Sequence, residues 1–73
     1  MFVTLTQKLD GSRISININN ICAVREDGTN LTTSEPFCTV FTNNGSFTVK
    51  ENYNDTMKLI SSCIKMNHLR KEN

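Results

Sequence analysis

Residues 2–18, FVTLTQKLDGSRISINI, alternate apolar and polar side chains on both sides of one Asp10-Gly11 step. Val3, Leu5 and Leu9 share one face of the first run, and Ile14, Ile16 and Ile18 share one face of the second. A period of two marks a half-buried strand, and Asp-Gly between two such runs marks a hairpin turn. A two-residue loop at Asp10-Gly11 pairs Leu5 with Ile16 and Val3 with Ile18, which brings the two apolar faces together. Lys8 then stands opposite Arg13 on the other face, where like charges are mildly unfavourable: either the two flank an anion or, as preferred here, they splay into water.

Downstream, Asn19-Asn20 breaks the pattern and residues 21–26, ICAVRE, predict a third strand with Cys22 and Val24 on one face. Residues 27–36, DGTNLTTSEP, are dense in turn formers and predict a loop that Pro36 ends at the start of the next strand. A second hairpin follows: FCTVFTN (37–43), Asn44-Gly45, then SFTVKE (46–51). A two-residue loop there pairs Val40 with Val49 and Thr42 with Phe47. Cys38, Val40, Phe47 and Val49 fall on one face, and Phe37, Thr39, Phe41, Thr48 and Lys50 on the other, so both faces are partly apolar. LDGSRISIN and NNGSFTVKE resemble each other, through either a pseudo-repeat or similar turn chemistry.

From Asn52 the period becomes helical. Asn52 or Asn54 can cap the N-terminus, with Asp55 favourable in the first turn. Tyr53, Met57, Ile60 and Ile64 form one stripe of a helix over about 54–69, and Leu59, Cys63 and Met66 form a second beside it. The expected fold is therefore α+β: an antiparallel sheet of about five strands, two hairpins plus a middle strand, followed by one C-terminal helix. One domain spans 1–73, with the sheet in 1–51, the helix in 52–70 and a tail in 71–73.

Size and composition narrow the function. A chain of 73 residues buries only about 60% of the surface its unfolded form exposes. Apolar residues are 37% and mean hydropathy is −0.35, so the core is small and self-association is expected to support it. The second helix stripe, Leu59, Cys63 and Met66, is the candidate oligomer interface. A net charge of +1 is too small for a binder of long nucleic acid. Basic groups gather after residue 57 (Lys58, Lys65, Arg70 and Lys71), where they either favour the helix dipole or steer an anion.

Cys22, Cys38 and Cys63 are odd in number, widely spaced and flanked by apolar residues, which predicts buried free thiols and no zinc site. No run approaches the roughly 18 apolar residues of a membrane span. MFVTLTQKLD lacks the charged and apolar regions of a signal peptide, so a cytoplasmic protein is expected, in a bacterial host or a phage-infected cell. The excess of Asn and Thr fits an AT-rich genome. His68 is the only histidine, and Gly-x-Ser-x-Gly, Walker and His-Glu-x-x-His patterns do not occur. Asp10 and Asp27 each precede Gly in turns. A non-enzyme without a cofactor is the expectation.

The best binding constellation is Phe37, Phe41, Thr39, Thr48 and Lys50. The two rings lie about 13 Å apart along a strand face, with hydroxyls between and a cation at one end. Aromatic faces stack on nucleobases and cations meet phosphates. Arg25 and Arg13 add forked donors from the neighbouring strands. The alternative is that both rings pack in a dimer interface or against the helix.

The spacing LT-x4-G-x2-I-x-IN-x3-I-x2-V, then TV-x-T-x2-G-x3-VKE and an apolar helix, resembles the small FlbD/SwrD-type flagellar proteins. The residues are Leu5, Thr6, Gly11, Ile14, Ile16, Asn17, Ile21 and Val24, then Thr39, Val40, Thr42, Gly45, Val49, Lys50 and Glu51. That resemblance covers roughly residues 3–64 and implies an accessory protein–protein role in motility, with no catalytic residues. In size, organisation, Asn-rich composition and its aromatic/Lys face the chain is also similar to phage anti-defence proteins. Among these, the Thoeris anti-defence type implies an oligomer that sequesters a cyclic nucleotide signal. The function expected here is a non-catalytic homo-oligomer that sequesters a small anionic ligand, most plausibly a nucleotide. The alternative is an FlbD-like module.

Overall fold

The computed structural model describes residues 1–28 and 36–71, with side chains described as far as Lys65. Five antiparallel strands precede one helix: β1 (Phe2–Thr6), β2 (Arg13–Asn17), β3 (Ile21–Asp27), β4 (Phe37–Thr42), β5 (Gly45–Val49) and α1 (Tyr53–Lys71). A 3-10 turn, Ile18–Asn20, carries the chain from β2 to β3, and Asn17 caps it by accepting the Asn19 N–H. The fold is α+β as expected, but the strands divide into a β1-β2 pair and a β3-β4-β5 sheet. A single bridge, Gln7 to Val49, joins them. Around it the Lys8 N–H donates to Thr48 O at 2.9 Å and the Lys50 N–H to Thr6 O at 2.8 Å. The Thr6 N–H donates to the Glu51 carboxylate at 3.0 Å.

That seam corrects the register of the first hairpin. Val3 opposes Ile16 and Leu5 opposes Ile14, so the loop is longer than the expected two residues. The Lys8 N–H is taken by Thr48 and cannot pair with Arg13, which faces Thr6 instead. The Asp10 carboxylate accepts both the backbone N–H and the hydroxyl of Ser12, at 2.9 and 2.7 Å. Gly11, at φ +77°, closes the turn by donating to Gln7 O. The second hairpin also slips by two residues, to Val40 opposite Phe47 and Cys38 opposite Val49, with Asn43-Asn44 at the tip. Thr42 decides this: its hydroxyl accepts the Asn44 N–H and donates to Gly45 O. An even slip keeps the paired strand residues on their predicted faces, but Leu9, expected beside Val3 and Leu5, falls in the longer loop and is 96% exposed.

β3 differs in kind. Its register to β4 shifts between Ile21 and Ala23, leaving Cys22 without a partner residue. A bulge reverses the phase of a strand. Ile21 and Val24 therefore both pack on the core, and Cys22 turns outward, donating to the Asn43 side chain at 3.1 Å. The expected shared face of Cys22 and Val24 does not form. Strand β3 also runs through Asp27, which sequence reading placed in the loop; the rest of that loop, 29–35, lies outside the described residues.

Asn52 caps α1, accepting the Asp55 N–H at 2.8 Å. Val3, Leu5, Ile16, Cys38, Val40, Val49 and Ile60 form the core. The helix buries Thr56 and Ile60 and half-buries Tyr53, Met57 and Cys63. Ile64, expected on the inward stripe, is 49% exposed, and Thr56, which apolar periodicity overlooks, is fully buried. The Thr56 hydroxyl shares a hydrogen bond with the Cys38 thiol at 3.2 Å, which satisfies the polar group that the helix buries at Thr56. Among the described residues, no helix is long and apolar enough to cross a membrane.

Two outcomes follow from this packing. Glu51→Ala removes the acceptor at the seam and should cost about 1–3 kcal/mol of stability, measured by urea unfolding. Cys22 should react rapidly with a disulfide reagent in the native protein. Cys38, buried and with its thiol pKa raised by that burial, should react only as the chain unfolds. Cys22→Ser should delete the fast phase.

Candidate functional site

Alternation along β4 turns Phe37, Thr39 and Phe41 away from the helix, because Cys38 and Val40 are fully buried on the inner side. Antiparallel pairing extends that outer face across three strands: Arg25 opposes Thr39, Thr39 opposes Thr48, and Asp27 opposes Phe37. The seam then delivers Lys8 alongside Thr48. Lys8, Arg25, Asp27, Gly28, Phe37, Thr39 and Thr48 line an open groove of about 500 Å³. Gly28 closes its β3 end at φ +72°, a backbone conformation that suits glycine.

Both cations lie over aromatic rings. The Lys8 ammonium is 4.8 Å from the centroid of Phe37. The Arg25 guanidinium is 5.3 Å from that of Phe41. Each contact is worth about 0.5–1 kcal/mol at an exposed site, and holds the cation near the surface without neutralising it. Phe41 is consequently covered by Arg25 and does not line the groove.

Asp27 organises the floor. Its Oδ1 accepts the Arg25 Nε–H at 3.0 Å and its Oδ2 accepts the Thr39 hydroxyl at 2.7 Å. The Thr39 hydroxyl, which outweighs the upward push of burial, and then the Arg25 side chain hold the Asp27 carboxyl below the ordinary carboxylate range. Thr39 is only 6% exposed, so its proton is spent on Asp27 and is not free for a ligand, contrary to the donor role expected of it. Thr48 is exposed.

The groove thus unites four of the expected ligand-binding residues, Arg25, Phe37, Thr39 and Thr48. Lys50 points elsewhere: its ammonium lies by the Gly11 turn, 3.8 Å from where a Cβ would stand there. Arg13 is exposed on β2 and does not line the groove. Sequence reading missed Asp27 and Lys8. Asp27 follows Arg25 by two positions, the spacing of one strand face, and that signal was available had the strand been extended. In the sequence Lys8 reads only as an anion-flanking partner of Arg13, set aside in favour of water; its place beside Thr48 and Phe37 depends on the seam.

On the helix, Leu59 is 41% exposed. Cys63 instead packs against the core, with its thiol donating to Phe2 O at 3.4 Å. The Met66 side chain lies outside the described residues. Among the described residues no group of three His, Cys, Asp or Glu is placed to hold a metal ion. No protein-family model, curated protein or solved structure matches the chain.

The lowered carboxyl pKa sets a pH dependence. A depressed folded pKa contributes stability above the ordinary value of 3.8 and loses it as pH falls from there through the folded value. Wild type should exceed Asp27→Asn in urea midpoint at about pH 6, and the gap should narrow at about pH 3. The variant comparison removes the parallel contribution of Asp10, whose pKa is also lowered, first by the Ser12 N–H.

Proposed function

We propose that the chain is a non-catalytic binding protein whose outer-face groove sequesters a small anionic aromatic ligand, with a nucleotide as the best-fitting class. The observation that carries this reading is the pair of cations, Lys8 and Arg25, flanking a groove that also holds the Phe37 ring. Phe37 suits stacking on a base once the Lys8 ammonium, 4.8 Å from its centroid, swings off the ring toward a phosphate, and the exposed end of Arg25 suits phosphate oxygens too. Arg25 is 62% exposed and only its Nε–H is engaged by Asp27, so its terminal donors face solvent. Thr48 supplies a further hydroxyl beside them. An open groove on so small a protein encloses a ligand better when a second copy covers it, which is the role proposed for homo-oligomerisation. In this reading the protein works by mass action, as an anti-defence sponge would.

A second reading is favoured by the helix and the chain start. Leu59 and Ile64 are exposed on α1, and Phe2, 59% exposed, belongs to the residue whose carbonyl Cys63 contacts. Apolar side chains left in water at that end suit a protein–protein module of the FlbD kind.

Light scattering across a size-exclusion peak tests both. A single Tyr and no Trp give the protein almost no absorbance at 280 nm, so a captured nucleotide will dominate the native spectrum. The expected result is a mass that is a multiple of 8.3 kDa with strong 260 nm absorbance that denaturation and filtration remove. Arg25→Ala should reduce nucleotide retention about 10- to 100-fold, the equivalent of one or two charged hydrogen bonds, with mass unchanged. Leu59→Asp should lower the mass. An oligomer with a protein-only spectrum and no thermal shift from any added nucleotide would leave the module reading in place of the sponge.

A further inference from the structure

We infer that Asp27 selects the sugar of the groove's ligand, so that the site takes ribonucleotides and discriminates against their deoxy counterparts. This rests on the nucleotide reading above and goes beyond it. Asp27 is the feature that an anion-binding groove does not need. A carboxylate between two cations repels a bare phosphate or sulfate, so a ligand seated there must bring hydrogen-bond donors to it as well as negative charge to its neighbours.

The geometry states where those donors belong. Asp27 stands directly opposite Phe37 across the β3–β4 ladder and two positions beyond Arg25 on its own strand. Neighbouring strands lie about 5 Å apart and two residues of strand advance about 6.6 Å. The carboxylate therefore stands between the ring across the ladder and the guanidinium, whose Nε lies 3.0 Å from Oδ1, and the order ring, carboxylate, guanidinium follows the order base, sugar, phosphate of a nucleotide. The carboxylate is also held in place. Arg25 orients Oδ1 and Thr39 orients Oδ2, and Thr39 is itself nearly buried. Each oxygen has two acceptor positions and spends one internally. The remaining one on each oxygen suits the two vicinal hydroxyls of a ribose, the same use an acidic residue has in dinucleotide-binding folds. A deoxy sugar covers those acceptors without satisfying them, and a site built to hydrogen-bond a hydroxyl rejects the analogue that lacks it.

Calorimetric titration of the full chain with ADP and GDP, and with the 2′,3′-dideoxy form of each, tests this. Wild type should bind at least one ribonucleotide about ten-fold or more tightly than its dideoxy form. Asp27→Asn should bring that ratio towards one, while Arg25→Ala should weaken both forms together. Circular dichroism should show each variant folded, and the wild-type ratio decides the matter even if one is not. Equal wild-type affinity for the two sugars overturns the inference and leaves the groove a nucleotide site. No binding of either form, with none of inorganic pyrophosphate, overturns both.

Discussion

Two backbone hydrogen bonds, Lys8 N–H to Thr48 O and Lys50 N–H to Thr6 O, hold this fold together as one object. A two-stranded hairpin is marginal alone, and β1-β2 has no other strand to lean on. Where Gln7 bridges Val49, the pair gains a second sheet, and Val3, Leu5 and Ile16 meet Cys38, Val40 and Val49 in one core. Glu51 reinforces the junction by taking the Thr6 N–H, and the very next residue, Asn52, caps the helix that covers the core. Seam, core and helix start thus follow one another within a few residues of chain.

The same junction makes the groove. Without it Lys8 would belong to a distant turn; with it, the ammonium reaches the Phe37 ring. β4 is the strand that both regions share. Its inner side chains, Cys38 and Val40, are buried on the side of α1, and among the described residues its outer ones have no second layer of secondary structure to cover them. Long cationic side chains lie over the rings instead, and Asp27 ties Arg25 to the nearly buried Thr39. An outer face covered by side chains alone is one that a ligand can open, since the cover costs only weak contacts to move.

Much of this was legible beforehand, for identifiable reasons. Faces depend on parity, so Val3, Leu5 and Ile16 share the buried face expected of them, and Val40 and Val49 share a face as grouped, although both hairpin registers were two residues out; that the Val40 and Val49 face is the inner one is left open by a hairpin apolar on both sides. The registers themselves were set by side chains with local reach, Asp10 on Ser12 and Thr42 on Gly45, which compete with the simple two-residue turn. The bulge at Cys22 broke the parity argument and sent one predicted core thiol to the surface. Thr56 was invisible to a search for apolar stripes because its burial depends on a partner, Cys38, on another element.

The sequence by itself determined the order of elements, their faces, the turn positions to within two residues and the aromatic and hydroxyl side of the groove. Period, capping and turn chemistry are properties of neighbours along the chain, and they survive without knowledge of the fold. Only the tertiary structure decided that Lys8 and Asp27 join Arg25 and Phe37, while Lys50 and Arg13 stay apart from them. That choice was made at the seam between Thr6–Lys8 and Thr48–Lys50, where the partners are forty or more residues apart and no local pattern records the contact.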